Sequence, residues 1–100
     1  MATLYITEFR DLAGPSNGMA PPWAQQPPVA EQTVAITGAS AQSAAFSGST
    51  RYIRVHADAI CSIEVGPAPV ATTAKARMAA STTEYFGVKV GDQIAVISNT

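Results

Sequence analysis

The sequence predicts an all-β fold, a small antiparallel β-sandwich of jelly-roll type, and three observations lead to that prediction. The 100 residues include eight Val, seven Ile and ten Thr against two Leu, and such β-branched side chains favour pleated strands over helices. Seven Gly and seven Pro interrupt the chain every few residues. Short stretches of alternating apolar and polar residues lie between these interruptions, which is the pattern of a sandwich or barrel.

Seven segments alternate in this way and are predicted as strands: 3–9, 33–37, 42–46, 51–56, 60–65, 84–88 and 93–98. In the first, Leu4 and Ile6 share one face, while Tyr5, Thr7 and Phe9 share the other. Apolar groups on both faces predict burial on two sides or a partner chain that covers one of them. We also expect that this strand could extend the sheet of a partner.

Residues 10–32 are predicted to be an extended arm, because they hold five of the seven prolines, including Pro27 and Pro28, and little that could form a core. A flexible coil of this length averages about 26 Å end to end, against a radius of gyration of about 13 Å for the domain. The arm could therefore reach a neighbouring subunit. Trp23, in its middle, needs a place to bury its surface, either on its own sandwich or in a neighbour.

The remaining strands form the predicted body, residues 33–100, of a single domain. In segment 51–56 Ile53 and Val55 face inward, and segment 60–65 turns Cys61 inward and Ser62 outward. The short turn between these two segments predicts that they pair as a hairpin. Residues 70–83 are predicted to be a polar connection. A helix of one or two turns around residues 71–80 is the alternative, because Ala, Lys, Arg and Met favour helices.

Charge and cysteine content argue against several classes of protein. The formal net charge is −1 and only 13% of residues are charged, whereas nucleic-acid binding needs a concentrated basic face. No apolar run approaches the ~20 residues that span a bilayer, and no Lys- or Arg-headed apolar segment of a secretory signal opens the chain. Cys61 is the only cysteine, which excludes an internal disulfide and a multi-cysteine zinc site. We therefore expect no nucleic acid, membrane or metal partner.

Candidate catalytic groups are few and have simpler explanations. His56 and Asp58 are two residues apart and could meet on one strand face as an acid–base pair, but a solvated histidine at a strand end explains the pattern better. Glu64, Glu84 and Asp92 could supply a pair of glycosidase carboxylates, but they lie on separate strands and turns. The sequence predicts no catalytic residue, no cofactor and no small-molecule substrate, and the alternation places Cys61 in the core.

Candidate interface residues are better supported. Tyr52 lies between Arg51 and Arg54, a combination that could stack single-stranded nucleic acid but is also what protein interfaces favour. We interpret it as a protein interface. The candidates comprise aromatic, arginine and proline residues of the first strand, the arm and the fourth segment: Tyr5, Phe9, Trp23, Pro27, Pro28, Tyr52 and Arg54.

The second half of the chain has a recognisable order of segments. Arg51-Tyr52-Ile53-Arg54-Val55-His56 is followed by residues 59–66, by a proline–alanine loop at 67–72, by residues 84–88 and by the ending at 90–97. This order resembles small structural proteins of tailed bacteriophages and prophages, and among them the capsid decoration (cement) proteins. The opening residues 1–9 fit the same group.

The resemblance implies a non-enzymatic virion protein, made in the host cytoplasm and placed on the capsid exterior. It would bind the major capsid protein and form a homo-oligomer, a dimer or a trimer. A neck, tail or fibre component is an alternative. So is a carbohydrate-binding module for host attachment, with Trp23, Tyr5, Tyr52 and Tyr85 as the aromatic groups.

Overall fold

A computed structural model describes residues 2–10 and 27–99, and every regular element in that part of the chain is a β-strand. The strands are β1 (Thr3–Phe9), β2 (Ala30–Ala35), β3 (Ala41–Gln42), β4 (Tyr52–Ala57), β5 (Cys61–Gly66), β6 (Ala76–Met78), β7 (Thr82–Gly87) and β8 (Gln93–Ser98). Trp23 and most of the predicted arm, residues 11–26, lie outside the described residues.

The strands form two antiparallel sheets of four, in the orders β2-β1-β4-β7 and β3-β8-β5-β6. We call them the first and the second sheet. They pack face to face, so the predicted small antiparallel β-sandwich is confirmed, with the strand number and two-layer arrangement of a jelly roll. The predicted bounds of β1 and β8 agree with the structure.

The core lies between the two sheets. The first sheet contributes Leu4, Ile6, Ile53 and Val55, all essentially without solvent exposure. The second sheet faces them with apolar side chains, and the loops close the ends of the layer: Cys61, Ile63, Ile94, Val96, Met78 and Phe46. Successive residues of a strand point to opposite faces, which is why the alternation in the sequence predicted this inward set.

The predicted hairpin between segments 51–56 and 60–65 is wrong, because β4 lies in the first sheet and β5 in the second. β4 is paired with β1 on one side and with β7 on the other, so it has no edge left for β5. The chain crosses between the sheets at residues 58–60. There the Asp58 N–H donates to the Thr3 carbonyl and the Asn99 N–H donates to the Ile60 carbonyl.

The prediction that β1 could extend the sheet of a partner is also wrong. β1 is an inner strand, paired with β2 and with β4 over nearly its whole length. The edges of the first sheet are β2 and β7. β2 begins at Ala30, so the last three residues assigned to the arm belong to this strand.

Two shorter elements also differ from expectation. β3 has only two residues, because the Ser43 hydroxyl accepts the Ile94 N–H at 3.0 Å and takes the place of the next backbone carbonyl in the ladder. Residues 76–78 form β6 rather than part of the alternative helix. This strand pairs with β5 and places Met78 in the core.

Candidate interaction face on the first sheet

The outer face of the first sheet gathers side chains from β1, β4 and β7 in three cross-strand rows. The register places Tyr5, His56 and Thr83 in the first row. Thr7, Arg54 and Tyr85 form the second row, and Phe9, Tyr52 and Gly87 form the third. We call this surface the aromatic face, and its defining residues are Tyr5, Phe9, Tyr52, Arg54, His56 and Tyr85.

The rings of the aromatic face contact one another across the strands. Phe9 and Tyr52 are stacked, with ring centroids 5.4 Å apart and an interplanar angle of 22°. Tyr5 and His56 lie 6.4 Å apart at a tilt of 46°. A hydrogen bond of 2.9 Å between His56 Nδ1 and Thr83 Oγ1 fixes the imidazole. Such pairs restrain the side chains, so little rotamer entropy remains to be lost when another surface packs on them.

Exposure is highest at two tyrosines of this face. Tyr5 is 45% exposed and Tyr85 is 59% exposed, while Phe9 is buried and Tyr52, Arg54 and His56 are half-buried. Aromatic and arginine side chains that stand on a rigid strand surface are the composition that protein interfaces favour.

The outer face of the second sheet is different, because residues 67–75 fold across it. Ser62 and Ala95 point away from the core, yet both have no exposed surface. Ala71 is buried against this face, and its N–H donates to Ser40 Oγ at 2.9 Å. The Gln42 side-chain amide donates to the Pro69 carbonyl in the same region. Ser62 points outward as predicted, and residues 67–75 cover it.

The structure brings four of the seven predicted interface residues together. Tyr5, Phe9, Tyr52 and Arg54 share the aromatic face, although they come from two strands far apart in the chain. Pro27 is exposed and Pro28 is half-buried, and both precede β2 at the edge of the same sheet. Tyr85 was not among the interface candidates, although the period of two along β7 could have placed it on this surface.

Three of the candidate catalytic groups, His56, Asp92 and Glu64, have structural partners. His56 bonds to Thr83, while Asp58 lies in the bend that crosses between the sheets. The Asp92 carboxylate accepts the Lys89 N–H at 2.9 Å and closes a turn. Among residues 2–10 and 27–99, no three His, Cys, Asp or Glu side chains are grouped as a metal centre would require.

Glu64 is held by a cation and a loop. Its carboxylate lies 2.8 Å from Lys75 Nζ and also accepts the Val70 N–H. The hydrogen bond from Lys75, followed by the one from Val70, lowers the pKa of Glu64. The Glu64 carboxylate is ionised and bound to a cation and a backbone N–H. This arrangement fits a structural role, the attachment of residues 67–75, better than general acid–base catalysis.

The described part of the chain contains no helix long and apolar enough to cross a membrane. Comparison with known proteins adds no relative: no protein-family model, no curated protein and no solved structure matches the chain. In the part of the chain that the structure describes, the fold and the surface define a small β-sandwich. One outer face is covered by residues 67–75, and the other carries the exposed tyrosines Tyr5 and Tyr85.

Proposed function

We propose that this protein is a non-enzymatic structural component of a phage virion, most specifically a capsid decoration protein that docks on the major capsid protein through the aromatic face. One observation carries the choice of surface. The second sheet is covered by residues 67–75, whereas Tyr5 and Tyr85 of the first sheet are exposed beside Arg54. The resemblance of residues 49–100 to small virion proteins supplies the kind of partner.

Tyrosine and arginine are the residue types that most often dominate binding energy at protein interfaces. On this face they are presented by strands that are paired on both sides or packed on the core, so docking requires little rearrangement. A homo-oligomer, a dimer or a trimer on the capsid exterior, remains part of the proposal.

Binding to shells tests the proposal directly. Empty heads assembled from the major capsid protein encoded beside this gene are mixed with the protein and sedimented. We expect saturable binding, and we expect Tyr5→Ser and Tyr85→Ser each to weaken it by about tenfold or more, since hot-spot truncations typically cost over about 1.4 kcal/mol. Val70→Ser, which changes an exposed apolar residue outside the face, is the matched control and should bind normally.

Two results would contradict the proposal, the first in its virion role and the second in its docking surface. A gene that lies away from capsid genes, together with no binding to any shell, would argue against a virion role altogether. Saturable binding that Tyr5→Ser and Tyr85→Ser leave unchanged would keep the virion role but reject this surface. Decorated heads should also rupture at a higher temperature than bare heads if the role is cementing.

A carbohydrate-binding module is a second candidate, because Tyr5, Tyr52 and Tyr85 lie on one sheet face and sugars pack on aromatic platforms flanked by polar groups. A glycan array separates the two candidates. Hits that disappear in Tyr85→Ser, without binding to heads, favour host attachment, whereas an array without hits rejects this second candidate.

A further inference from the structure

A surface cavity of about 390 Å³, half open to solvent, lies at one end of the sandwich, outside the rows that define the aromatic face. Its walls come from the end of β1, the turn before β4 and the turn after β7. They include three cationic side chains and two valines: Arg10, Arg51, Lys89, Val88 and Val90, together with Gly48, Ser49 and Thr50.

The concentration of charge in this cavity is unusual for the chain. Three of its six Lys and Arg residues line one cavity in a protein whose formal net charge is −1. None of the described residues that line it carries a carboxylate. Among the described residues, the Arg51 guanidinium and the Lys89 ammonium have no ion-pair or hydrogen-bond partner. The carboxylates of Glu8 and Asp92 accept the Thr50 hydroxyl and the Lys89 N–H of this lining, but neither forms an ion pair with the two cations. Two cations without an ion-pair partner in one concave site favour an anionic occupant.

Backbone hydrogen bonds fix the positions from which both cationic side chains extend. The Arg51 N–H donates to the Phe9 carbonyl at 2.9 Å, and the Arg51 carbonyl accepts the Val88 N–H at 3.0 Å. Lys89 begins a turn that Asp92 closes with two hydrogen bonds, one of them from the Lys89 N–H to the Asp92 carboxylate. The positions of the two residues are therefore fixed by the first sheet and by the turn that leads into β8.

We propose that this cavity binds a small phosphate-bearing molecule. A phosphate monoester carries a charge of about −1.5 to −2 near pH 7, which matches two or more cations better than a single carboxylate does. Guanidinium groups bind phosphate oxygens through paired hydrogen bonds, and a lysine adds a mobile charge. The volume is in the range of about 300–1,000 Å³ that ligand pockets occupy and exceeds what a bare phosphate needs. Val88 and Val90 offer an apolar wall for an organic group.

Titration of the intact protein with three probes at constant ionic strength tests this proposal, with amide NMR shifts as the readout. The probes are inorganic phosphate, phenyl phosphate and acetate, the last as a monoanion. We expect saturable shifts at the turns around Ser49 and Val90 with both phosphates, and much weaker ones with acetate. Tighter binding of phenyl phosphate, reduced by Val90→Ser, identifies an organic phosphate as the ligand class. Equal affinities identify free phosphate.

The matched variants are Arg51→Gln and Lys89→Gln against Arg77→Gln, which removes the same charge from an exposed site on β6. Each pocket variant should weaken phosphate binding by about tenfold, the effect of losing one charge-assisted hydrogen bond, while Arg77→Gln should bind normally. Equal weakening in all three variants would mean that net charge alone attracts the anion. That result, absence of any saturable shift, or acetate binding as well as phosphate would each overturn the proposal.

Discussion

Glu8 is a buried carboxylate that connects three parts of the chain. Only 3% of the residue is exposed, because it lies on the inner side of β1 with Leu4 and Ile6. Its Oε1 accepts the Ser47 N–H at 2.9 Å and the Thr50 hydroxyl at 2.7 Å, and its Oε2 accepts the Gln32 amide at 3.3 Å. Glu8 thus ties β2 and the turn before β4 to the first strand.

Replacing Glu8 by alanine should lower the free energy of unfolding by about 1–3 kcal/mol, the cost of leaving buried donors without an acceptor. Glu8→Gln keeps one acceptor oxygen and should lose less. Urea unfolding measures both. Glu31→Ala, an exposed glutamate on the adjacent strand, is the control and should change stability by under about 0.5 kcal/mol. Equal effects of the two alanine variants would contradict this role of Glu8.

The Cys61 thiol is predicted to be inert in the folded protein. Burial, and to a smaller extent the charge of Glu84, raises the pKa of the thiol above its ordinary value of 9.0. The thiol ionises less readily in the folded state than in the unfolded state. The stability that depends on the neutral thiol is therefore complete below pH 9 and is lost as the pH rises further.

A disulfide reagent at pH 8 should therefore modify Cys61 only as fast as the chain opens, and should react at once in concentrated urea. Glu84→Gln removes the smaller of the two causes, so the thiol should remain slow in that variant. Rapid modification of the folded wild type would show that the thiol is accessible.

The ion pair between Glu64 and Lys75 contributes to the stability of the fold in a pH-dependent way. The direction of that dependence follows from the lowered pKa of Glu64. A carboxyl whose pKa is lower in the folded state stabilises the fold above its ordinary value of 4.5, and this contribution is lost as the pH falls through the folded value. Lys75→Gln should make the loss of stability between pH 7 and pH 3 less steep. Urea midpoints across this range measure it, with Arg77→Gln as a control of equal charge. Identical pH profiles for the two variants would contradict the assignment.

Among the elements, β7 is an edge strand of the first sheet that carries an inward-pointing charge. It pairs with β4 on one side, and its exposed residues include Tyr85 on the aromatic face. Glu84 lies opposite Val55, so it points to the inner side of the sheet although it is exposed. An inward-pointing charge on an edge strand is one way in which proteins prevent another strand from adding.

Glu84→Val should therefore increase self-association through β7. Sedimentation velocity at rising concentration should show a larger mean size than for the wild type. Glu31→Val removes a charge from the other edge strand of the same sheet, but from its outer side, and should leave the size unchanged. A Glu84→Val variant that sediments like the wild type would show that this edge is protected by other means.

The elements also show where sequence reasoning succeeds. The period of two along 51–56 places Ile53 and Val55 in the core and Tyr52, Arg54 and His56 on the opposite side, because alternation is a local property of a strand. The neighbour of a strand is not a local property. β4 and β5 are separated by three residues and still lie in different sheets, because β1 and β7 occupy both edges of β4.

The whole molecule is a sandwich with two unequal outer faces. Residues 67–75 cover the second sheet, and their attachment by Ser40 and Gln42 depends on side chains that come from distant parts of the chain. The alternation therefore predicted which side chains point away from the core, but not which of them a loop covers. Four residues of the aromatic face, Tyr5, Phe9, Tyr52 and Arg54, are interface candidates from the sequence, and their binding to a partner stays a prediction. Tyr85 lies on the same face because β7 pairs with β4, and the sequence alone did not predict that pairing.

Hydroxyl-radical footprinting of the protein, alone and mixed with capsid shells, tests the proposed docking surface most directly. We expect the oxidation of Tyr5 and Tyr85 to fall strongly on binding, while Met78 in the core and Pro67 in the loop over the second sheet change little. Protection confined to residues 67–75, or no change at Tyr5 and Tyr85 in shell-bound protein, would contradict docking through the aromatic face.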